Sequence, residues 1–466
     1  MKKHYILLSI ALSFFFLNDN HSQTNNEILA AELDAFIENR MTQFNIPGLS
    51  ASIVKEGQVV WSAAYGVANI QANTPVSLET EFTLASISKL FTATAIIKLM
   101  ENGIIDLDED INSYLPITVI NPNFPDIPIT IRQLIQHKSS LKDSENDLQL
   151  WDNLGDPFID LETFCSSYFV IGGDLYNPNN FANTSPGNSS YWYSNAGFTL
   201  LGYIVQVQSE LPFNIYCRQN ILQNLDMNSA AWFYANSDTN DLAMPYSGNL
   251  NPFGYYSVPE YPAAMLKANV LELSNFLISI TQFGKYNSEE IISPESFQLM
   301  LPENMNDGFA WWGSDTWYGD PNGNFWSHGG YMNGVRTQIN YYPSDSSGLI
   351  ILTNGEGNYL SIQNKIESYI PLFDADGSTS IKKYNSPEIR IFPNPTSDSR
   401  QLKIVFENSI SGNINLEIIN LQGSVIRNVS NIKSPFKMST DGFSPGIYFI
   451  HLNTEMDQFT EKIIIE

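Results

Sequence analysis

Two pairs of β-rich segments enclose the larger part of the chain, and they restrict its fold more than any other feature. The first pair, LSASIVKEG and QVVWSAAYGVA, is joined by a turn signal at Glu56-Gly57. The second, GVRTQINYYPSDSSGLIILTN, is broken by a Pro/Ser/Asp/Gly turn at residues 343–348. Strands at both ends with helices between them predict an α+β unit in which the terminal strands share one antiparallel sheet.

The segments between these strands have helical spacing. One helix is expected from about Ser86 to a C-terminal cap at Asn102-Gly103. A short helix is expected within residues 129–141, and a longer one at residues 196–210. These helices would form the helical part of the α+β unit.

The two ends of the chain have their own signals. A basic start precedes an apolar run from Ile6 to Leu17, which is shorter than the ~20 residues that span a bilayer. Residues 1–22 are therefore expected to be a secretory signal peptide, and no later segment is long enough for a membrane anchor. Residues 23–373 would form the first folded domain and the polar residues 374–387 a linker. The alternating apolar runs in residues 388–466 predict a small all-β sandwich without a helix.

The charge of the chain argues against nucleic acid and membrane surfaces as partners, and its motifs give no support for a cofactor. With 23 basic and 49 acidic residues, the formal charge of −26 would repel nucleic acid and anionic lipid. The two cysteines, Cys165 and Cys217, could equally be a disulfide or two unlinked core thiols. The chain has no HExxH motif, phosphate loop or dinucleotide fingerprint, so we expect neither a metal nor a nucleotide cofactor.

The sequence Ser86-Ile-Ser-Lys89 opens the first predicted helix. The same Ser-x-x-Lys pattern occurs five more times, but only this copy precedes an apolar stripe with helical spacing. Residues i and i+3 share a helix face, so Lys89 could remove the proton of the Ser86 hydroxyl if burial lowers its pKa. The simpler alternative is that Ser86 caps the helix and that Lys89 is a solvated residue of the first turn.

Three motifs occur in a characteristic order: SISK at residues 86–89, YSN at 193–195 and SHGGYMNG at 327–334. With the flanking segments IPGLSASIVKEG and ITIRQLIQHKSSL, they resemble the serine β-lactamase and penicillin-binding-protein superfamily, especially its class C-like carboxypeptidases and esterases. The resemblance extends from about residue 27 to residue 373 and implies a β-lactamase/DD-peptidase-like antiparallel sheet with a helical subdomain.

The resemblance also implies roles for particular residues. The expected catalytic residues are Ser86, the acylated nucleophile, with Lys89 and Tyr193 sharing the proton transfers. The expected substrate-binding residues are Asn195, His328, Gly329, Gly330 and Tyr331. Asn195 is expected to hydrogen-bond Lys89 and the amide of a substrate, and His328-Gly329-Gly330 to line the opposite wall of the site on an edge strand. In this family, the N–H groups equivalent to those of Ser86 and Tyr331 form the oxyanion hole. His137 lies in a stretch that resembles a structural turn of the family, so we expect it to serve the architecture.

One motif departs from many true β-lactamases, which have Lys-Thr-Gly where this chain has His328-Gly329-Gly330. The change from Lys to His328 and the change from Thr to Gly329 both remove groups that would hold a β-lactam carboxylate. The expected function is therefore a serine hydrolase that forms an acyl-enzyme with esters, D-amino-acid amides or peptides, or less efficiently β-lactams. The alternative is a catalytically silent binding or assembly protein that retains the fold.

The C-terminal module carries a second resemblance. FPNPTSD at residues 392–398, followed by SPGIYFIHL and a closing EKIIIE, is similar to the sorting domain of the bacterial type IX secretion system. This resemblance implies that the type IX machinery is a partner and that the protein is secreted or bound to the cell surface. The alternative is a carbohydrate-binding or adhesive β-sandwich.

Overall fold

The computed structural model describes residues 25–143, 155–188, 190–314, 325–375, 380–381, 389–392, 401–406, 414–420, 425–453 and 458–465. The expected signal peptide and most of the FPNPTSD segment lie outside these residues. The chain divides into two compact units at residues 382/383.

The first unit mixes helices with strands. Its helices are α1 (Asn25–Phe44), α2 (Ser88–Glu101), α3 (Ile131–Ile135), α4 (Leu161–Phe169), α5 (Asn195–Ser209), α6 (Phe213–Cys217), α7 (Tyr261–Ala264), α8 (Val270–Thr281), α9 (Pro294–Met300) and α10 (Leu360–Tyr369). Its strands are β1 (Gly48–Lys55), β2 (Gln58–Asn69), β3 (Thr74–Pro75), β4 (Phe82–Thr83), β5 (Lys267–Ala268), β6 (Lys285–Tyr286), β7 (Glu289–Glu290), β8 (Trp312–Gly313), β9 (Trp326–Met332), β10 (Val335–Tyr342), β11 (Ser347–Thr353) and β12 (Ser380–Ile381).

The principal sheet joins the two ends of the first unit, as the sequence predicts. Its strand order is β12-β2-β1-β11-β10-β9-β8, and β3 pairs with β2. The first hairpin meets the last through β1 and β11, which are antiparallel with Ala51 opposite Ile351. The α+β prediction is therefore confirmed. Within the segment expected to be a linker, β12 pairs in parallel with Trp61 and Ser62 of β2.

The sheet has a hydrophobic core on each face. Leu349 and Ile351 of β11 belong to the core under α1 and α10, whereas Ile350 and Leu352 belong to the larger core with α2, α5 and α8. Side chains alternate between the two faces of a strand, so a central strand that is covered on both sides is apolar along most of its length. This double cover buries every residue of β11.

Helix α2 ends as predicted but begins two residues later than predicted. Residues Ala85–Ile87 form a 3-10 turn, and the α-helix starts at Ser88. Ser86 is therefore not the N-cap, because that position is taken by Ile87 and no side chain caps the helix. The helix ends at Glu101 with Asn102 as its C-cap, and Gly103 follows with a φ of 68° that favours glycine.

The second unit contains strands and, in the described residues, no helix. They are β13 (Ile389–Phe392), β14 (Gln401–Phe406), β15 (Ile414–Asn420), β16 (Val425–Ile432), β17 (Phe436–Ser439), β18 (Gly446–Asn453) and β19 (Gln458–Ile465). They form a three-stranded sheet, β13-β14-β17, and a four-stranded sheet, β16-β15-β18-β19. Apolar residues of both sheets, including Leu402 and Leu416, share one core. This arrangement agrees with the predicted all-β module.

Two further features of the structure are the state of the cysteines and the character of the helices. Cys165 and Cys217 are both buried free thiols, so the unlinked alternative holds in this structure. Among the helices of the described residues, none combines the length and the apolar character that crossing a bilayer requires.

Candidate active site

The nucleophile candidate, Ser86, lies on a strained and firmly held turn. The residue before it, Ala85, has a φ of 49°, which is unusual for a residue with a side chain. The Leu84 N–H donates to the Leu266 carbonyl over 2.8 Å, and the Leu84 carbonyl accepts from the Thr337 hydroxyl over 2.8 Å. These bonds hold the turn between the segment that carries β5 and strand β10.

Lys89 is fully buried, so the alternative of a solvated lysine is wrong. Its Nζ donates to Ser86 Oγ at 3.2 Å, to Asn195 Oδ1 at 2.6 Å and to the Ala263 carbonyl at 3.0 Å. Burial lowers the pKa of Lys89 from 10.5 to about 7, although Asp143 and Glu260 counteract part of this effect. About half of the molecules would carry a neutral amine at neutral pH.

Tyr193 approaches the same serine from another side. It precedes α5, and its hydroxyl donates to Ser86 Oγ at 2.7 Å. Burial raises the pKa of Tyr193 well above its ordinary value, so the phenol keeps its proton at neutral pH. The Nζ of Lys89 lies 4.8 Å from the centroid of the Tyr193 ring.

His137 supports Tyr193 rather than contacting Ser86. Its ring stacks on the Tyr193 ring with a centroid separation of 4.6 Å, and Trp312 stacks at 5.5 Å. The Ser194 N–H donates to Nδ1 of His137 at 3.1 Å. The structure thus places His137 in the support of the Tyr-x-Asn segment, and Trp312 is a neighbour that sequence analysis missed.

Asp143 is a second residue that sequence analysis missed. Its carboxylate accepts hydrogen bonds from the Asn195 N–H at 2.9 Å and from Asn195 Nδ2 at 2.8 Å. It also accepts from the Ser194 hydroxyl at 3.1 Å and the Ala196 N–H at 3.0 Å. No sequence motif singles out Asp143, although it follows the HKSSL stretch by two residues.

The SHGG segment forms the opposite wall on β9, which is not quite the edge strand that we predicted. Strand β8 pairs with Trp326 and Ser327, so the described edge of β9 begins at His328. Gly330 faces the serine turn, where an added Cβ would lie 2.3 Å from the Leu84 carbonyl oxygen. A side chain at this position would separate β9 from the turn, so glycine permits the close approach.

His328 is buried and uncharged. Its Nδ1 lies 2.8 Å from the Gly329 carbonyl, which can only accept, so Nδ1 carries the proton. Nε2 is buried and has no hydrogen-bond partner among the described residues. Burial first, and then the nearby charge of Lys89, lower the pKa of His328 to about 3. At neutral pH His328 therefore places no cation in this wall.

Gly329 and Tyr331 point to the other face of the sheet. A Cβ at Gly329 would lie 2.9 Å from the Tyr331 ring and 3.2 Å from Gln338 Oε1. Tyr331 is 57% exposed, and its hydroxyl lies 3.1 Å from the Tyr359 hydroxyl. The space that a Lys-Thr-Gly threonine would use is therefore occupied by Tyr331 and Gln338.

The family assignment agrees with this geometry. A family model described as Beta-lactamase matches residues 33–366. The chain belongs to the beta-lactamase family. A second model, described as a secretion system C-terminal sorting domain, matches residues 390–466. The beta-lactamase domain is thus followed by a sorting domain, as both resemblances imply.

Solved structures share the beta-lactamase fold at low sequence identity. EstCE1, a hydrolase with promiscuous acyltransferase activity, is 20% identical with a TM-score of 0.60, over 74% of this chain and 99% of that protein. A class C beta-lactamase is 18% identical with a TM-score of 0.60, over 77% of this chain and 99% of the other. At these identities the likeness shows the fold alone.

Two further relatives of the chain are also distant in sequence. Protein flp of Staphylococcus aureus strain N315 is 24% identical over 335 residues, which are 71% of this chain and 64% of that protein. Beta-lactamase-like protein 4 of Dictyostelium discoideum is 26% identical over an alignment of 374 residues, and the match covers 73% of this chain and 63% of the relative. The chain therefore spans less than two thirds of the length of these two beta-lactamase relatives.

Proposed function

We propose that the first unit is a serine hydrolase that is acylated at Ser86 and that prefers neutral esters to β-lactams. D-amino-acid amides and peptides can also transfer an acyl group to a serine, so they are the next candidates. The observation that carries the proposal is the hydrogen bonding of Lys89, which leaves the amine suited to take the proton of Ser86.

A neutral amine has two N–H groups and one lone pair. Asn195 Oδ1 and the Ala263 carbonyl can only accept, so they take the two N–H groups of Lys89. The lone pair is then left for the third neighbour, the Ser86 hydroxyl. Because burial lowers the pKa of Lys89 to about 7, a large share of the protein holds this neutral form at neutral pH.

Tyr193 supplies the second proton transfer. As the Ser86 oxygen forms a bond to the carbonyl carbon, the Ser86 proton passes to Lys89. The Tyr193 phenol then donates its proton to the leaving alkoxide as the carbon–oxygen bond of the ester breaks, and Lys89 returns a proton to Tyr193. Water releases the acyl group by the reverse proton transfers, which regenerates the Ser86 hydroxyl.

The backbone N–H groups of Ser86 and Tyr331 are proposed to stabilise the negative oxygen of the tetrahedral intermediate. The close packing of Gly330 against the Leu84 carbonyl supports this role, because it brings the main chain of β9 next to the serine turn. Both N–H groups belong to the main chain, so their positions follow from the fold rather than from side-chain rotamers.

The opposite wall supports a neutral substrate. His328 is uncharged at neutral pH, and its Nε2, which carries no proton, gives a substrate carboxylate neither a cation nor a hydrogen-bond donor. Gly329 has no hydroxyl side chain that could bind such a carboxylate. A β-lactam or a D-alanyl peptide carries such a carboxylate, whereas a short neutral ester does not.

The test is a panel of p-nitrophenyl esters, D-alanyl peptides and nitrocefin. Short esters should give the largest kcat/KM, and Ser86→Ala should abolish turnover of every active substrate. Ser52→Ala is the matched control, because Ser52 also begins a Ser-x-x-Lys sequence but is buried against Ser274. Faster turnover of nitrocefin would refute the ester preference, and turnover that survives Ser86→Ala would refute the nucleophile.

We also propose that the protein is exported in two steps, by a signal peptide at residues 1–22 and then by the type IX machinery. The match of residues 390–466 to a sorting domain supports the second step. Removal of residues 390–466 should leave the protein inside the producing cell envelope, which immunoblots of medium, surface and periplasmic fractions would reveal. Undiminished release of the shortened protein would contradict the proposal.

A further inference from the structure

Asp143 and Lys89 together fix the orientation of the Asn195 side-chain amide. The Asn195 Nδ2 donates to Asp143 at 2.8 Å, while its Oδ1 accepts from Lys89 at 2.6 Å. A carboxylate only accepts and a lysine ammonium only donates, so these two neighbours permit a single orientation of the amide. The orientation also persists when Lys89 is neutral, because Asp143 still requires a donor.

The same carboxylate is fixed in place by the start of α5. It accepts from the N–H groups of Asn195 and Ala196 and from the Ser194 hydroxyl. Backbone N–H groups in the first turn of a helix lack intrahelical partners and favour a negative charge. Asp143 is therefore held by the fold, and it holds the Asn195 side chain in turn.

We propose that Asp143 is a specificity-determining residue, which directs the site toward acyl groups without an amide by engaging the side-chain N–H of Asn195. This inference rests on the proposed acylation of Ser86. In the family resemblance, Asn195 is the residue expected to hydrogen-bond the amide of a substrate. In this protein, that donor already has a charged partner in the resting site.

The second hydrogen of Nδ2 does not restore amide binding. If Asn195 Nδ2 donates one hydrogen to Asp143 and the other to a substrate carbonyl, the two acceptor oxygens lie about 5 Å apart in ordinary hydrogen-bond geometry. A substrate carbonyl there would face a fixed negative charge in a partly buried site, where such repulsion is poorly screened. An acyl chain without an amide meets no such cost.

The experiment compares two esters with the same leaving group. One is p-nitrophenyl propionate, and the other is the p-nitrophenyl ester of N-acetyl-D-alanine, which adds an acylamido group to the same acyl chain. In the unaltered protein, propionate should have the larger kcat/KM. Asp143→Ala should raise the ratio of acylamido to propionate kcat/KM by about three- to tenfold, through a lower KM for the acylamido ester.

Two further variants separate specificity from folding. Ser194→Ala removes the hydroxyl that donates to Asp143 and accepts from Gly197, but it leaves the Asn195 contact, so the ratio should not change. Asp143→Asn removes the charge at nearly constant volume and should raise the ratio, which keeps the test valid if Asp143→Ala fails to fold.

The outcomes distinguish this inference from the proposed function. An unchanged ratio in both Asp143 variants would overturn the specificity role, even if both esters are turned over. Loss of both activities in folded Asp143 variants would assign Asp143 to general positioning and would also overturn it. Absence of Ser86-dependent turnover in the unaltered protein would instead refute the proposed acylation.

Discussion

The rate of acylation should depend on pH through Lys89. Burial lowers the Lys89 pKa from 10.5 to about 7, which corresponds to roughly 5 kcal/mol against the charged form. Since the proposed base must be neutral, kcat/KM should be nearly constant above about pH 8 and should fall as pH decreases through the pKa. About half of Lys89 is neutral at about pH 7 and about 1% at about pH 5, so the expected decrease is about 50-fold.

The assay is hydrolysis of a short p-nitrophenyl ester from about pH 5 to about pH 9, analysed as kcat/KM to report on the free enzyme. The matched control is Lys267→Met, because Lys267 is also fully buried and burial lowers its pKa to about 7. His328 does not interfere, since its pKa of about 3 leaves it neutral throughout. A flat profile, or an acid limb that disappears with Lys267, would refute the assignment of Lys89 as base.

Three substitutions test the surrounding contacts. Tyr193→Phe removes the hydroxyl that donates to Ser86, and it should lower kcat/KM for esters by about 10²–10⁴-fold in steady-state assays. The melting temperature should change little. A smaller loss of kcat/KM would contradict the proposed role of Tyr193 as the acid. Thr337→Val removes the bond to the Leu84 carbonyl, and urea unfolding should show a loss of about 1–3 kcal/mol in the free energy of unfolding. Gly329→Thr should reduce ester turnover because its Cβ meets the Tyr331 ring at 2.9 Å, and addition of Tyr331→Ala should restore part of it.

The fold was predictable because its main signals are long and periodic. The strands that became β1, β2, β10 and β11 span 7 to 12 residues each, so alternation and turn residues revealed them. Strand β8 has only two residues and shows no period, so the prediction of an edge strand at His328-Gly329-Gly330 did not include the pairing of β8 with Trp326 and Ser327. The start of α2 was misplaced by two residues because a 3-10 turn and an α-helix share similar local preferences.

The candidate site was predictable only where motifs mark it. The order of the motifs predicted that Ser86, Lys89, Tyr193 and Asn195 would meet, and the hydrogen bonds among these residues are present. Asp143 reaches Asn195 across 52 positions of sequence, and nothing local to it indicates that contact. Partners of this kind depend on how loops pack in three dimensions, which the spacing of one sequence does not encode.

The most direct test of the central claim is the mass of the intact protein after reaction with an active-site phosphonate. We predict one covalent adduct per chain, located by peptide mapping on Ser86, absent in Ser86→Ala and slower to form as pH decreases below about 7. No adduct on the folded protein, or an adduct that persists in Ser86→Ala, would contradict the account.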